Sequence, residues 1–422
     1  MKEKEDYLKQ VVESYEQRIQ QKNTRPTTRS SELGTQIMKD YFDRVYHARE
    51  EGKPLAWISF GMPVELFYAM DIVPFLVEQF AITVVVQGFR EGKGFEYFDY
   101  GIGSGFSKEA CTAHIVPVGM AKAGVLPPPD VAVCSSVPCD SSLMTFEVLT
   151  DIYKCPSFWL DYPYRERNGK EIDYFRRELA DLIAFLEEHT GHKLDPNRLQ
   201  ETLEISRKTN EIYAQILELR KAVPTPFGGR DGWNIIMNIR YVDGLPGTLE
   251  YFKTFYQETQ EKVARGEGHL DEERHRLIWV GGYPFFFMRI IDWVEEKYGA
   301  VVVGEAQNSV KHLLGGDTSD PLGFLARKAA GFGIWRVFRD FGTIAPELVE
   351  QAKVLKADGA IYFASAGCKQ GCGITRLLRD TWGEGAGIPT FILDGDILDP
   401  RVTSVTQIQA QLEKFFSMLD GS

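Results

Sequence analysis

Six cysteines, Cys111, Cys134, Cys139, Cys155, Cys368 and Cys372, are the residues of this chain best suited to soft-metal chemistry. None lies before Cys111 or between Cys155 and Cys368. Thiolates are soft ligands that select iron–sulfur clusters, zinc or Cu(I). A structural zinc site pairs its cysteines at C-x2–4-C spacing within one small module. Here Cys134 and Cys139 are one such pair, Cys368 and Cys372 another, while Cys111 and Cys155 stand alone; six thiolates exceed one four-coordinate ion. A lone cysteine is by default a small buried hydrophobe, a reading that suits Cys155 best because it falls in an apolar strand signal. It suits Cys368 and Cys372 least. Ala366-Gly-Cys-Lys-Gln-Gly-Cys-Gly373 reads as a glycine-rich loop that leaves a strand and enters a helix around 374–379. Glycines allow close approach of backbone to a ligand, and N–H groups at a helix start favour an anion. Ser135-Ser-Val-Pro-Cys-Asp-Ser-Ser142 repeats that arrangement at another strand-to-helix turn. In open α/β sheets such C-terminal strand ends are where ligands bind, so two facing loops of this kind would clamp one cofactor.

The elements that must position these loops follow from pattern. Residues 54–60 read as a buried strand, Gly61-Met-Pro63 as a turn into a helix over 64–70, and 72–77 as the next strand. Residues 105–122 read as a helix carrying Cys111, 130–134 as a strand ending in Cys134, and 153–160 as a strand with Cys155 near its start. Over 165–222, Ile172, Phe175, Leu179, Leu182 and Leu186 recur at helical spacing, with Leu199, Leu203 and Ile216 continuing the pattern. A second α/β unit starts at Arg276-Leu-Ile-Trp-Val-Gly-Gly282, with a helix over 284–297, further strands at 300–304, 359–364 and 388–393, and a closing amphipathic helix near 404–419. Residues 223–270, with the glycine-rich Phe227-Gly-Gly-Arg-Asp-Gly232, receive no assignment. The expected organisation is a helical arm over 1–50, an α/β domain over 51–165, a helical linker region over 166–270 and a second α/β domain over 271–422.

The formal net charge of −12 argues against a nucleic-acid or anionic-membrane partner, either of which needs a basic face. Met1-Lys-Glu-Lys-Glu-Asp6 has no apolar signal-peptide core, and apolar runs such as 278–291 are interrupted and too short for a bilayer. The expected location is the cytoplasm, where grouped cysteines mean metal or redox chemistry more often than disulfides.

Phe60-Gly-Met-Pro-Val-Glu-Leu-Phe-Tyr-Ala-Met-Asp-Ile-Val-Pro74 resembles the P-x-E-[LI]…A-x-G-x-x-P signature of 2-hydroxyacyl-CoA dehydratase and benzoyl-CoA reductase subunits. Pro138-Cys-Asp140, Gly367-Cys-Lys-Gln370 and Leu393-Asp-Gly-Asp396 resemble its other landmarks, in the same order. The resemblance implies two facing Rossmann-like (flavodoxin-like) parallel-sheet domains with a [4Fe-4S] cluster between them, held at Cys111, Cys139 and Cys368. It also implies electrons delivered by an ATP-hydrolysing activator protein with its own [4Fe-4S] cluster. The three surplus cysteines, Cys134, Cys155 and Cys372, resemble the double-cubane branch of the superfamily, in which six cysteines hold one [8Fe-9S] cluster. The leading expectation is therefore a homodimeric, cytoplasmic reductase whose double-cubane cluster is bound by all six cysteines and reduces a small molecule, acetylene-like or N–N-bonded. The expected split places Cys111, Cys139 and Cys368 on one cubane and the other three on its neighbour. The alternatives are a single-[4Fe-4S] subunit for 2-hydroxyacyl-CoA dehydration or benzoyl-CoA reduction, and an electron-storage protein.

Other groups carry weaker signals. His114, Lys369 and Gln370 are candidates to donate to a cluster or substrate, with ordinary surface roles as the alternative. Ser135 and Ser136 could donate to sulfur or simply form a turn. Asp394 and Asp396 match a landmark, though strand-end carboxylates often cap the next turn. Glu65 reads as a first-turn helix residue facing the dipole. Gly281-Gly282 lacks the rest of a G-x-G-x-x-G, so NAD is not inferred.

Overall fold

The computed structural model describes residues 6–22, 27–163, 169–237, 239–306, 316–331 and 333–421. Two helices, α1 (Tyr7–Lys22) and α2 (Arg29–His47), come first. The first α/β half then runs β1 (Leu55–Ile58), α3 (Val64–Ala69), β2 (Val73–Leu76), α4 (Val77–Phe89), α5 (Phe95–Gly103), α6 (Thr112–Ala123), β3 (Val131–Ser135), α7 (Asp140–Tyr153) and β4 (Ser157–Leu160). Four helices follow: α8 (Lys170–Thr190), α9 (Pro196–Leu219), α10 (Gly229–Met237) and α11 (Pro246–Arg265). The second half begins with β5 (His275–Val280), α12 (Ile290–Tyr298) and β6 (Ala300–Glu305). It continues through α13 (Pro321–Ala330), α14 (Gly333–Arg339) and α15 (Phe341–Val354) to β7 (Gly359–Ser365). It ends with α16 (Lys369–Ala386), β8 (Thr390–Gly395) and α17 (Val405–Asp420). The protein is thus α/β, with two four-stranded sheets ordered β2-β1-β3-β4 and β6-β5-β7-β8, every pairing parallel.

Parallel strands covered by helices on both faces need apolar side chains in both directions. The sequence Leu55-Ala-Trp-Ile58 supplies them, and the two-residue period sorts them. Leu55 and Trp57 join Val73, Phe75, Ala132 and Cys134 on one face, against helices that include α2, α4, α6 and α7. Ala56 and Ile58 join Leu76, Val131 and Val133 on the other, against α3, α8 and α9. The second sheet divides the same way, with Leu277, Trp279, Ile361 and Phe363 on one face and Ile278, Val280, Ala360 and Tyr362 on the other.

The helices outside the sheets are more integrated than an arm and a linker. Val11, Tyr41 and Phe42 of α1 and α2 lie in the core of the first sheet. Phe175, Leu179, Leu182 and Leu186 of α8 cover that sheet's other face. At the start of α9, Pro196 fixes the first turn and the Asp195 carboxylate accepts from the amides of Asn197 and Arg198.

The second half also reaches back into the first. Phe324, Leu325, Ala326 and Ala329 of α13, which lies between β6 and β7, pack with α8 and α9. There Lys328 makes an ion pair with Glu65 and another with Asp243 at 2.7 Å, and Ser206 donates to Glu65 at 2.7 Å. Glu65 stands in the first turn of α3, as its position predicts, but it is fully buried and its partner is this lysine rather than the helix dipole alone. Among the described residues no helix is long and apolar enough to cross a membrane.

Candidate metal centre

Three of the six cysteines share one local geometry. Cys111 is the N-cap of α6, Cys139 of α7 and Cys368 of α16. In a β–α crossover each helix starts beside the C-terminal ends of the strands, so these three caps sit at the ligand-binding edges of their sheets. A helix start carries partial positive charge and unpaired N–H groups, which suits thiolates and an anionic ligand between them.

The halves meet here through close backbone contact. A Cβ on Gly367 would stand 2.5 Å from the Cα and 2.7 Å from the backbone N of Cys111, so only glycine lets the residue before Cys368 lie against Cys111. Beside it, Thr112 Oγ1 donates to Asp396 Oδ1 at 2.6 Å, a buried bond between α6 and the end of β8. The same carboxylate oxygen accepts from the amides of Leu398 and Asp399 at 2.8 and 2.7 Å. Asp396 therefore both caps its turn and fixes the residue next to Cys111.

The electrostatics tie the three thiols together. Burial pushes the Cys111 thiol well above its usual range, and neighbouring Cys139 and Cys368 push further. Cys368 is pushed up to about 12, chiefly by burial and then by Cys139. Burial also raises Cys139, but the amides of Ser142 and Ser141 pull it back, although neither closes a strict capping bond. Cys372 also pushes Cys368 up, and Cys139 pushes Cys134 up, so this influence extends beyond the three caps.

Yet among the described residues no three His, Cys, Asp or Glu side chains are gathered tightly enough for one metal ion. A tetrahedral zinc with bonds of about 2.3 Å needs its sulfurs only about 3.8 Å apart. Three thiols at helix starts, without a tight single-ion group among the described residues, would suit a polynuclear cluster.

The other three cysteines occupy different surroundings. Cys372 is exposed in the first turn of α16, its amide donating to the Cys368 carbonyl at 2.9 Å and its Sγ to the Ser365 carbonyl at 3.4 Å. Cys134 is an internal residue of β3, pointing into the helix-covered core, with Sγ 3.8 Å from Ser142 Oγ. Cys155 is not brought to this centre. It precedes β4 and is half-buried beside the core, whereas Cys139 starts α7 at the opposite end of that helix. The 14 residues of α7 span about 21 Å at 1.5 Å per residue. The register agrees: Cys134 pairs with Trp159, four residues along the chain from Cys155.

The remaining candidates separate as well. His114 lies one turn into α6 with Nε2 3.6 Å from Cys139 Sγ. Lys369 is exposed and Gln370 half-buried at the start of α16. Ser135 and Ser136 build the turn: Ser135 Oγ donates to the Val137 carbonyl at 2.6 Å, and Ser136 Oγ accepts from the Tyr162 amide at 2.9 Å. The Asp394 amide donates to Gln411 of α17 at 3.2 Å, away from the thiols. Gly282 closes the turn after β5, its carbonyl accepting from Trp279 Nε1 at 2.8 Å.

Sequence reasoning missed Thr112 and Glu78. Glu78 is a buried carboxylate at the start of α4, and Ser142 Oγ donates to it at 3.0 Å. An acid within the apolar run Phe75-Leu-Val-Glu-Gln-Phe-Ala-Ile82 was the available signal.

Comparison with known proteins agrees with this architecture. A family model described as 2-hydroxyglutaryl-CoA dehydratase, D-component, matches residues 59–419, and the chain belongs to that family, within the 2-hydroxyacyl-CoA dehydratase and benzoyl-CoA reductase superfamily. A benzoyl-CoA reductase polypeptide of Thauera aromatica is 27% identical over 408 residues, covering 90% of this chain and 92% of that one. The (R)-phenyllactyl-CoA dehydratase alpha subunit of Clostridium sporogenes is 24% identical, covering 87% and 89%. The (R)-2-hydroxyisocaproyl-CoA dehydratase alpha subunit of Clostridioides difficile is 23% identical, covering 91% and 94%.

Proposed function

We propose that this chain is the cluster-bearing subunit of a low-potential iron–sulfur enzyme acting on an acyl-CoA thioester, with one [4Fe-4S] cluster held by Cys111, Cys139 and Cys368. The observation that carries the reading is that these three cysteines, from both α/β halves, are N-caps of three helices, with the residue before Cys368 lying against Cys111. When bound, such a cluster would supply single electrons at low potential and one iron without a protein thiolate. The chain's own contribution is placement. Gly367 and the Thr112–Asp396 bond hold the two halves in register, and the helix starts offset the negative charge of the thiolates. The names of the relatives support a CoA thioester as substrate. The electron source in this reading is an ATP-hydrolysing activator protein with its own [4Fe-4S] cluster.

A second reading is the double-cubane [8Fe-9S] reductase of small molecules, working as a homodimer. Its support is Cys372, exposed one helical turn from Cys368 and ready to extend the ligand set. It requires Cys134 to leave the core and Cys155 to cross the length of α7. Iron and sulfide analysis of anaerobically purified protein separates the two. About four irons per chain, from the cubane stoichiometry, support the first reading; about eight overturn it in favour of the second. Zinc in place of iron would defeat both.

A further inference from the structure

Behind Cys139 stands a buried carboxylate that the cluster reading does not use. Glu78 opens α4 directly after the edge strand β2 and is 6% exposed. Its Oε1 accepts from Ser142 Oγ at 3.0 Å, while its Oε2 is buried without a hydrogen-bond partner. Ser142 lies in the first turn of α7, and its amide donates to the Cys139 carbonyl at 3.2 Å. On the other side, His114 Nε2 lies 3.6 Å from Cys139 Sγ, and His114 Nδ1 is enclosed without a partner. One hydrogen-bonded path therefore leads from Glu78 to the Cys139 cap, through Ser142 in the first turn of α7.

An apolar residue would serve this position better if packing were its whole purpose. Burying a carboxyl with one oxygen unpaired costs several kcal/mol at order of magnitude, and its neighbours Val77, Phe80, Ala81 and Ile82 are all buried apolar groups. Groups hydrogen-bonded behind a metal ligand commonly fix its orientation. Resting on the three-cysteine cluster reading, we propose that Glu78 is a positioning residue that orients the Cys139 ligand through its hydrogen bond to Ser142.

The test compares anaerobically reconstituted wild-type protein with Glu78→Leu, Glu78→Gln and Ser142→Ala, read by the EPR spectrum of the reduced cluster and by iron release to a chelator. Glutamine keeps an acceptor for Ser142, so E78Q should match wild type in both. E78L should give altered g-values and iron release roughly tenfold faster, the lower end for lost support behind a ligand. S142A removes the same link from its other end, so it should resemble E78L, and it still reports if E78L does not fold. Wild-type spectra and release rates in E78L and S142A overturn the proposal. An E78Q as defective as E78L also overturns it, because the carboxylate's charge rather than its hydrogen bonding would then be responsible. A wild-type protein that takes up no iron instead defeats the cluster reading beneath it.

Discussion

The two α/β halves share one strand order, yet they equip it differently. In each, the turn after the third strand of the chain order ends in an N-cap cysteine: Cys139 after β3 and Cys368 after β7. The last helix before that strand is α6 in one half and α15 in the other. The first is capped by Cys111, the second by Asp340. Of the four helices placed alike in this strand order, three start at a thiol. In the proposed one-cluster reading, the two matched loops would grip the cluster from both sides and the mismatch would leave one iron without a protein thiolate. Holding would then follow from what the halves share, and an open position for chemistry from where they differ.

The largest effect expected from breaking that match is loss of the metal itself. Cys139→Ser and Cys368→Ser should each lose nearly all cluster iron on anaerobic purification, because each removes one half's grip. Full iron in C368S would show that the halves do not share one cluster. The next largest concerns the lock between the halves. Lys328→Met leaves Glu65 and Asp243 buried without their cation, and breaking a buried pair in this way costs about 3–5 kcal/mol. Urea unfolding of the metal-free protein measures it; a cost under about 1 kcal/mol would mean that α13 is held by its apolar face alone. Thr112→Val should cost less, about 1–2 kcal/mol, since Asp396 keeps its bonds to Leu398 and Asp399. Its signature is faster cluster loss than its stability cost accounts for, with Thr112→Ser restoring both.

How much of this is legible in the sequence follows the range of the interaction. Strands such as Leu55–Ile58 and Gly359–Ser365 announce themselves by unbroken apolar runs between turns, and the order of strands and helices dictates parallel sheets. The turn that carries Cys368 is readable from its glycines, but the pattern predicts a helix only around 374–379, whereas α16 starts at Lys369 and makes Cys368 its N-cap. Contacts between distant segments are not readable. Nothing local to α13 says that it packs on α8, or that Lys328 meets Glu65. The glycines of 228–232 permit no assignment from sequence, yet the segment begins α10 against β6, where a Cβ on Gly232 would lie 2.4 Å from Glu305 Oε1. Cys155 illustrates the limit most clearly. Its place in a six-cysteine ligand set is implied only by resemblance, and the 14-residue helix α7 carries it away from Cys139.

That separation gives the smallest expected effect and the sharpest test of the comparison. Cys155 is half-buried, so Cys155→Ser should change stability by only about 0.5 kcal/mol, the ordinary range for a site without special contacts. If three N-cap thiols form the whole ligand set, C155S keeps its full iron content and its EPR spectrum, and Cys372→Ser does the same despite standing one turn from Cys368. If all six thiols bind, each serine variant must lose iron or change its spectrum, because every thiolate then closes a corner of the cluster. A split result, with C372S altered and C155S silent, would mean that the ligand set extends along α16 in the second half without drawing on the far end of α7. The asymmetry between the halves would then lie in a second thiol on α16 as well as in the missing one at Asp340.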